Sequence, residues 1–250
     1  MTAMTAVTVR PISPLGRIGS EFRKLVDFRS ARILFLAALV LQVLFGILIY
    51  FTSPVEARSM MIAASAPLVP LIFLVPIMGV LFAVDEWRQK TVMITYVQDS
   101  NRTAVFVAKL IAGSLLALAL GAAGMILGTV IGIIGGSDIG DLGTLPGTLA
   151  PIALSLVLHL LLGAAVGGAT LSVVFGIVMV LVVGQLLPQL LGSIEAVAWL
   201  APYVNFMEPL SLMLNGQWPE DPGPALVALT LWMVIPLGIA IWRNGTKDIS

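Results

Sequence analysis

Between residues 85 and 109, this chain gathers Asp85, Glu86, Trp87, Arg88, Lys90, Thr91, Arg102 and Lys109, and within DEWRQKT four formal charges fall in seven positions. Neighbouring charges of both signs make ion pairs with one another or with another protein surface. Glu86 and Lys90 stand at the i, i+4 spacing, in the order that supports a helix. Docking is therefore the chemistry this cluster suits, and catalysis fits less well. One histidine does not make an HExxH zinc site, and the chain has no GxSxG nucleophile elbow and no GxxxxGK[ST] phosphate loop. Without cysteine there are no disulfides, thiolate nucleophiles or thiolate metal sites. No catalytic, cofactor-binding or metal-ligating residue is expected, and nucleic acid is not an expected partner.

The elements that must carry this cluster are membrane spans. The 250 residues are 59% hydrophobic and only 10% charged, with mean hydropathy +1.06, whereas soluble domains are roughly 45–50% apolar. A hydrocarbon core of about 30 Å takes about 20 apolar residues per helix. Six such runs are predicted: 33–51, 62–84, 104–134, 149–167, 171–191 and 225–242. The expected fold is an all-α integral membrane protein, a single transmembrane domain over 1–250. Residues 1–32 form its cytoplasmic N-terminal segment, 33–242 the six-helix bundle and 243–250 a cytoplasmic tail. The first run is too long for a secretory leader's apolar region, so Val55-Glu56-Ala57 is read as a loop and not as a cleavage site. A tight turn at 167–170 separates the fourth and fifth runs, and Pro67, Pro70 and Pro76 predict kinks in the second.

Charge placement sets the expected orientation. With both termini inside, the inner segments hold twelve basic and six acidic residues, and the outer ones hold Arg58 against seven acids. The net charges of +6 and −6 satisfy the positive-inside rule. In SEFRKLVDFRSAR, residues 20–32, apolar Phe22, Leu25, Val26 and Phe28 alternate with charge, as in a helix lying on the inner membrane surface. Residues 193–214 are apolar but interrupted by Glu195, Pro202, Asn205, Glu208 and Pro209, which predicts a re-entrant segment of short helices. Glu195, Asn205 and Glu208 are its candidate outer-gate residues, and an ordinary outer loop is the alternative.

No Asp, Glu, Lys or Arg is expected within the membrane portion of a span, which disfavours an ion-coupled carrier. His159, Gln42, Gln185 and Gln189 remain, and the histidine is expected to hydrogen-bond a neighbouring helix. Along the third span Gly121, Gly124, Gly128 and Gly132 continue a small-residue series that begins at Gly113 and Ala117. Such a face permits close helix contact, either inside the bundle or with a second copy.

In EWRQKTVMITYVQDSNRTAVFVAK, residues 86–109, Glu86, Thr91, Arg102 and Lys109 have the spacing E-x4-T-x10-R-x6-K. This resembles the first cytoplasmic loop of ABC-2 type transporter permeases. The layout of an amphipathic leading helix, six spans and a re-entrant region before the last span is similar too. Where that family often has a glycine before the threonine and a proline before an "SR" pair, this chain has Lys90 and Asp99, and the pair reads Asn101-Arg102. The resemblance implies the transmembrane subunit of an ATP-driven exporter in a bacterial plasma membrane. It implies two separate ABC ATPase subunits that bind ATP and Mg, a second permease copy or close relative, and surrounding membrane lipid. The alternatives are a non-transporting assembly or sensor subunit, a passive channel, or an ion-coupled carrier. Residues 85–98 would form the coupling helix.

Overall fold

Ser13 starts the first helix: its Oγ accepts the Gly16 N–H at 3.1 Å, and Pro14 takes the first helical position, where no N–H is required. In the computed structural model, which describes residues 13–27, 29–88, 101–138, 143 and 145–246, no strand occurs among the described residues, and six helices are long and apolar enough to span a membrane. The chain is an all-α membrane protein.

Helix α1 (Pro14–Asp27) leads to α2 (Arg29–Thr52), the first span. The second span is broken. It starts as α3 (Met60–Ser65), capped by Ser59 Oγ on the Ile62 N–H, tightens to a 3-10 turn at Ala66–Leu68 and resumes as α4 (Leu71–Arg88). Pro67 and Pro70 lack the N–H groups that would continue an α-helix across this break. Helix α5 (Arg102–Ile134) is opened by Asn101, whose side chain accepts the Ala104 N–H at 2.9 Å. Its 33 residues extend about 50 Å, well beyond the hydrocarbon core. Helix α6 (Leu145–Thr170) is the fourth span, and α7 (Val173–Gly192), with a π-helical stretch at Val178–Val183, is the fifth.

A 3-10 turn at Glu195–Leu200 and two short helices, α8 (Ala201–Val204) and α9 (Met207–Leu214), make up the interrupted segment. The last span, α10, runs from Pro222 through a π-helical Thr230–Val234 to Thr246, its start capped by Asp221.

Two faces result. The end of α4, the start of α5 and the ends of α6 and α10 meet around Val80, Ala83, Val84, Phe106, Ala164 and Ala240. This terminal face also carries α1, which lies against α5. On the distal face, Tyr50 at the end of α2 hydrogen-bonds Ser137 beyond α5 at 2.6 Å, and Gly216 after α9 abuts Thr148 at the start of α6. The second and fourth spans are the most enclosed and the sixth the least.

Three expectations need correction. The leading helix covers Pro14–Asp27 instead of 20–32, because the Ser13-Pro14 cap starts it earlier and Arg29–Arg32 already belong to α2. The turn between the fourth and fifth spans is not at 167–170: α6 continues to Thr170, and the chain reverses at Leu171, whose φ is +53°, and Ser172. Gly167 and Gly168 are instead used for close contact, against the Val80 backbone and the Ala240 Cβ. Finally, residues 85–88 do not begin a separate coupling helix but complete α4, and 89–98 lie outside the described residues.

The glycines of α5 face the chain's own helices. Gly121 meets Leu156 of α6, Gly124 meets Gln42 of α2 and Leu68, and Gly128 and Gly132 meet Ala63, Ala64 and Met60 of α3. A Cβ at Gly128 would stand 2.8 Å from Ala64 Cα and closer still to the Ala63 carbonyl oxygen. Because the obstacle is backbone, it has no rotamer by which to yield. Gly128→Leu is therefore expected to destabilise the protein by about 1–3 kcal/mol. A lower unfolding temperature in detergent would register this, whereas an unchanged one would mean that α3 does not touch Gly128.

Candidate functional site

The charged cluster emerges from the terminal face, and α1 is its supporting element. One side of α1, with Ile18, Glu21 and Leu25, is turned to the protein, while Leu15, Phe22 and Val26 on the adjoining flank are exposed. That split is the pattern of a helix bedded partly in protein and partly in lipid.

The buried side carries charge. Glu21, 3% exposed, accepts a hydrogen bond from Lys24 Nζ at 2.7 Å and lies 4.0 Å from Nζ of Lys109, itself 7% exposed. Lys109 is two turns into α5, so the pair fastens the leading helix to the third span. A buried ion is tolerated where it is paired, and removing one partner leaves the other uncompensated.

Around it, Arg102 begins α5 half-buried, behind the Asn101 cap. Asn101 thus performs for α5 the N-cap task that Ser59 and Ser172 perform elsewhere in this chain. Asp85 is buried and Trp87 half-buried at the end of α4. Lys90 and Thr91 lie outside the described residues, as do the side chains of Glu86 and Arg88. Across the same face, Arg243 donates to the Ala169 carbonyl and closes the end of α6.

The candidate gate residues separate. Asn205 and Glu208 come together: Asn205 Nδ2 donates to the Glu208 carboxylate at 3.0 Å, and the Glu208 N–H donates back to Asn205 Oδ1 at 3.2 Å. Both line a distal cleft of about 520 Å³. Glu195 is exposed at the start of its 3-10 turn and is not part of that cleft. Sequence reasoning missed the opposite wall, formed by Trp218, Glu220 and Asp221. The run WPEDP, residues 218–222, was the available signal, since two prolines hold acidic side chains in a fixed turn just before a span.

Beneath the cleft, Ser155 Oγ–H on α6 donates to the Leu210 carbonyl of α9 at 2.6 Å. With that proton committed, His159 Nδ1 carries its own and donates to the Ser155 carbonyl at 2.9 Å. The histidine's partner is therefore on its own helix and not on a neighbour, and the tie to α9 runs through Ser155. Among the described residues, no group of three or more Asp, Glu or His side chains could hold a metal ion. The geometry places the buried Glu21–Lys109 pair and the charged end of α4 on one face and an acidic cleft on the other.

Two outcomes follow from these contacts. Lys109→Met should destabilise the protein by about 3 kcal/mol, at the low end for breaking a buried pair because Lys24 still faces Glu21. The Glu21→Gln/Lys109→Met double variant should melt above the Lys109→Met single. Equal melting of the single variant and the wild type would mean that the pair contributes nothing. At the cleft, Glu208→Gln keeps an acceptor for Asn205 and removes only charge, so the melting temperature in detergent should be unchanged.

Compared with known protein families and with curated proteins, the chain has no match.

Proposed function

We propose that this chain is the transmembrane permease subunit of an ATP-driven exporter of the ABC-2 type. It would work with two ATPase subunits, which bind ATP and Mg, and with a second permease copy or close relative. One observation carries the reading: the charged connection from Asp85 to Lys109 leaves and re-enters the bundle on the face where α1 is fastened through Glu21 and Lys109. A partner pressing on that connection acts on α4, α5 and α1 together. Lys109 is also the final position of the E-x4-T-x10-R-x6-K spacing, so a residue singled out by motif has a buried structural task.

The distal cleft fits the same reading. Its walls come from the interrupted segment and the start of α10, and Ser155 ties the segment's last helix to α6. ATP-driven closure of the ATPases would shift α5 and α6 as rigid elements and so change the cleft. Both termini would lie in the cytoplasm, because the terminal face then holds the basic excess.

The test is affinity purification of the tagged chain from its native membrane, with mass spectrometry of what is retained. The expected partner is an ATPase bearing a GxxxxGK[ST] loop, whose hydrolysis responds to the chain. Glu86→Lys juxtaposes like charge at the contact and should weaken retention of that ATPase at least tenfold, roughly 1.4 kcal/mol or more. Membrane insertion should survive, since the change adds positive charge to the inner side. Normal retention and normal stimulated hydrolysis in Glu86→Lys would reduce the cluster to a membrane anchor.

A further inference from the structure

A second cavity, unrelated to the distal cleft, lies where α1, α2 and α5 diverge. It is a groove of about 410 Å³, walled by Leu25 and Val26 of α1, Phe35 and Leu36 of α2, and Leu116 and Ala119 of α5, with Arg32 at its edge. Apart from that guanidinium the named walls are aliphatic or aromatic. The groove opens toward the bilayer, since Ile33, Leu36 and Val40 on α2 are exposed on a span.

Basic residues predominate in the sequence around it: Arg23, Lys24, Arg29 and Arg32 stand against Glu21 and the exposed Asp27. Arg32 is exposed and has no ion-pair partner among the described residues. Arg23 and Arg29 are nearby in sequence and also exposed. The acid on the buried side of α1, Glu21, is engaged with Lys24 and Lys109. An apolar slot that opens into lipid and has an uncommitted arginine one helical turn from Leu36 matches a molecule with an acyl chain and an anionic head. Guanidinium holds phosphate oxygens two at a time, and its aliphatic stem can lie along the slot while its head reaches the interface.

We propose that this groove binds one anionic phospholipid, with an acyl chain between α1, α2 and α5 and its phosphate on Arg32. The proposal does not depend on what, if anything, the protein exports. Bound there, the lipid would fill the gap that α1 leaves as it diverges from the first span.

The test places a photoreactive p-benzoylphenylalanine at Leu36 of the full chain, in vesicles of equal parts phosphatidylglycerol and phosphatidylcholine, and identifies the crosslinked species by mass. The expected product is lipid, with phosphatidylglycerol enriched roughly fivefold, the preference one arginine confers near a membrane surface. Arg32→Gln should abolish the enrichment, and Arg23→Gln, an exposed charge on α1 outside the groove, should leave it intact. Ala119→Leu, which fills the groove without changing charge, should lower the yield of both lipids. Equal capture of the two lipids by the wild type, or equal losses from Arg32→Gln and Arg23→Gln, would reduce the effect to surface charge. Crosslinking to residues 1–12 or to a second copy would assign the groove to protein, and displacement of the lipid by inorganic phosphate alone would make the site one for free phosphate. Any of these results overturns the proposal.

Discussion

Backbone contact between α4 and α6 is the constraint on which the remaining helices depend. A Cβ at Gly79 would collide with the Leu160 carbonyl and the Ala164 nitrogen, one at Gly163 with the Pro76 backbone, and one at Gly167 with Val80 Cα. Three close approaches along one pair of helices leave no room for side chains between them. In lipid, apolar surface gains little by leaving its surroundings, so association rests on van der Waals contact, and the closest backbones gain most. With α4 fixed on α6, the other elements take positions around that pair. Leu160 and Leu156 of α6 fit against Gly113 and Gly121 of α5, and Gly168 receives Ala240 of α10.

Buried polar groups refine this arrangement without creating it. Gln42 of α2 donates to the Leu120 carbonyl of α5 at 2.9 Å, Ser155 of α6 to Leu210 of α9, and Trp232 of α10 to the Val204 carbonyl of α8 at 3.0 Å. Each bond attaches a less enclosed element to its neighbour. Hydrogen bonds inside membranes average about 0.6 kcal/mol, less than the cost of displacing one tight backbone contact. Their contribution is chiefly register: Trp232 sits where α10 widens to a π-helix, and its indole aligns the last span with the interrupted segment.

Much of the fold was legible because hydropathy and helix caps are local signals. The six apolar runs, the split second span at Pro67 and Pro70, and the interruption at Asn205 and Glu208 are all written within a few residues. What stayed hidden depends on partners distant in sequence. Gly163 and Gly167 form a GxxxG pair, yet run length and turn-forming residues suggested that Gly167 turns the chain; only the positions of Pro76 and Val80 show why both glycines stay helical. The left-handed turn falls instead on Leu171, a residue type that rarely signals one. At the candidate site, the spacing of Arg102 and Lys109 could be read, but Glu21 as the partner of Lys109 could not, since 88 residues separate them. The cleft shows the same division: Asn205 and Glu208 interrupt an apolar run and attract notice, whereas Glu220 and Asp221 look like an ordinary polar loop until α10 brings them opposite.

The two faces are connected by stiff helices. Helix α5 runs from Lys109, beside Glu21, to Gly128 and Gly132 beneath α3, and α6 runs from Thr148 beside Gly216, past Ser155, to Ala169 beneath Arg243. Both helices touch the opposing backbone closely enough that neither can bend independently of its neighbours, and interiors packed to this density shift as units between discrete arrangements. On the exporter reading, force applied at the charged connection would reach the distal cleft as a displacement of whole helices. The buried polar groups Gln42 and Ser155, each bonded to another helix, would then keep the elements in register during that displacement.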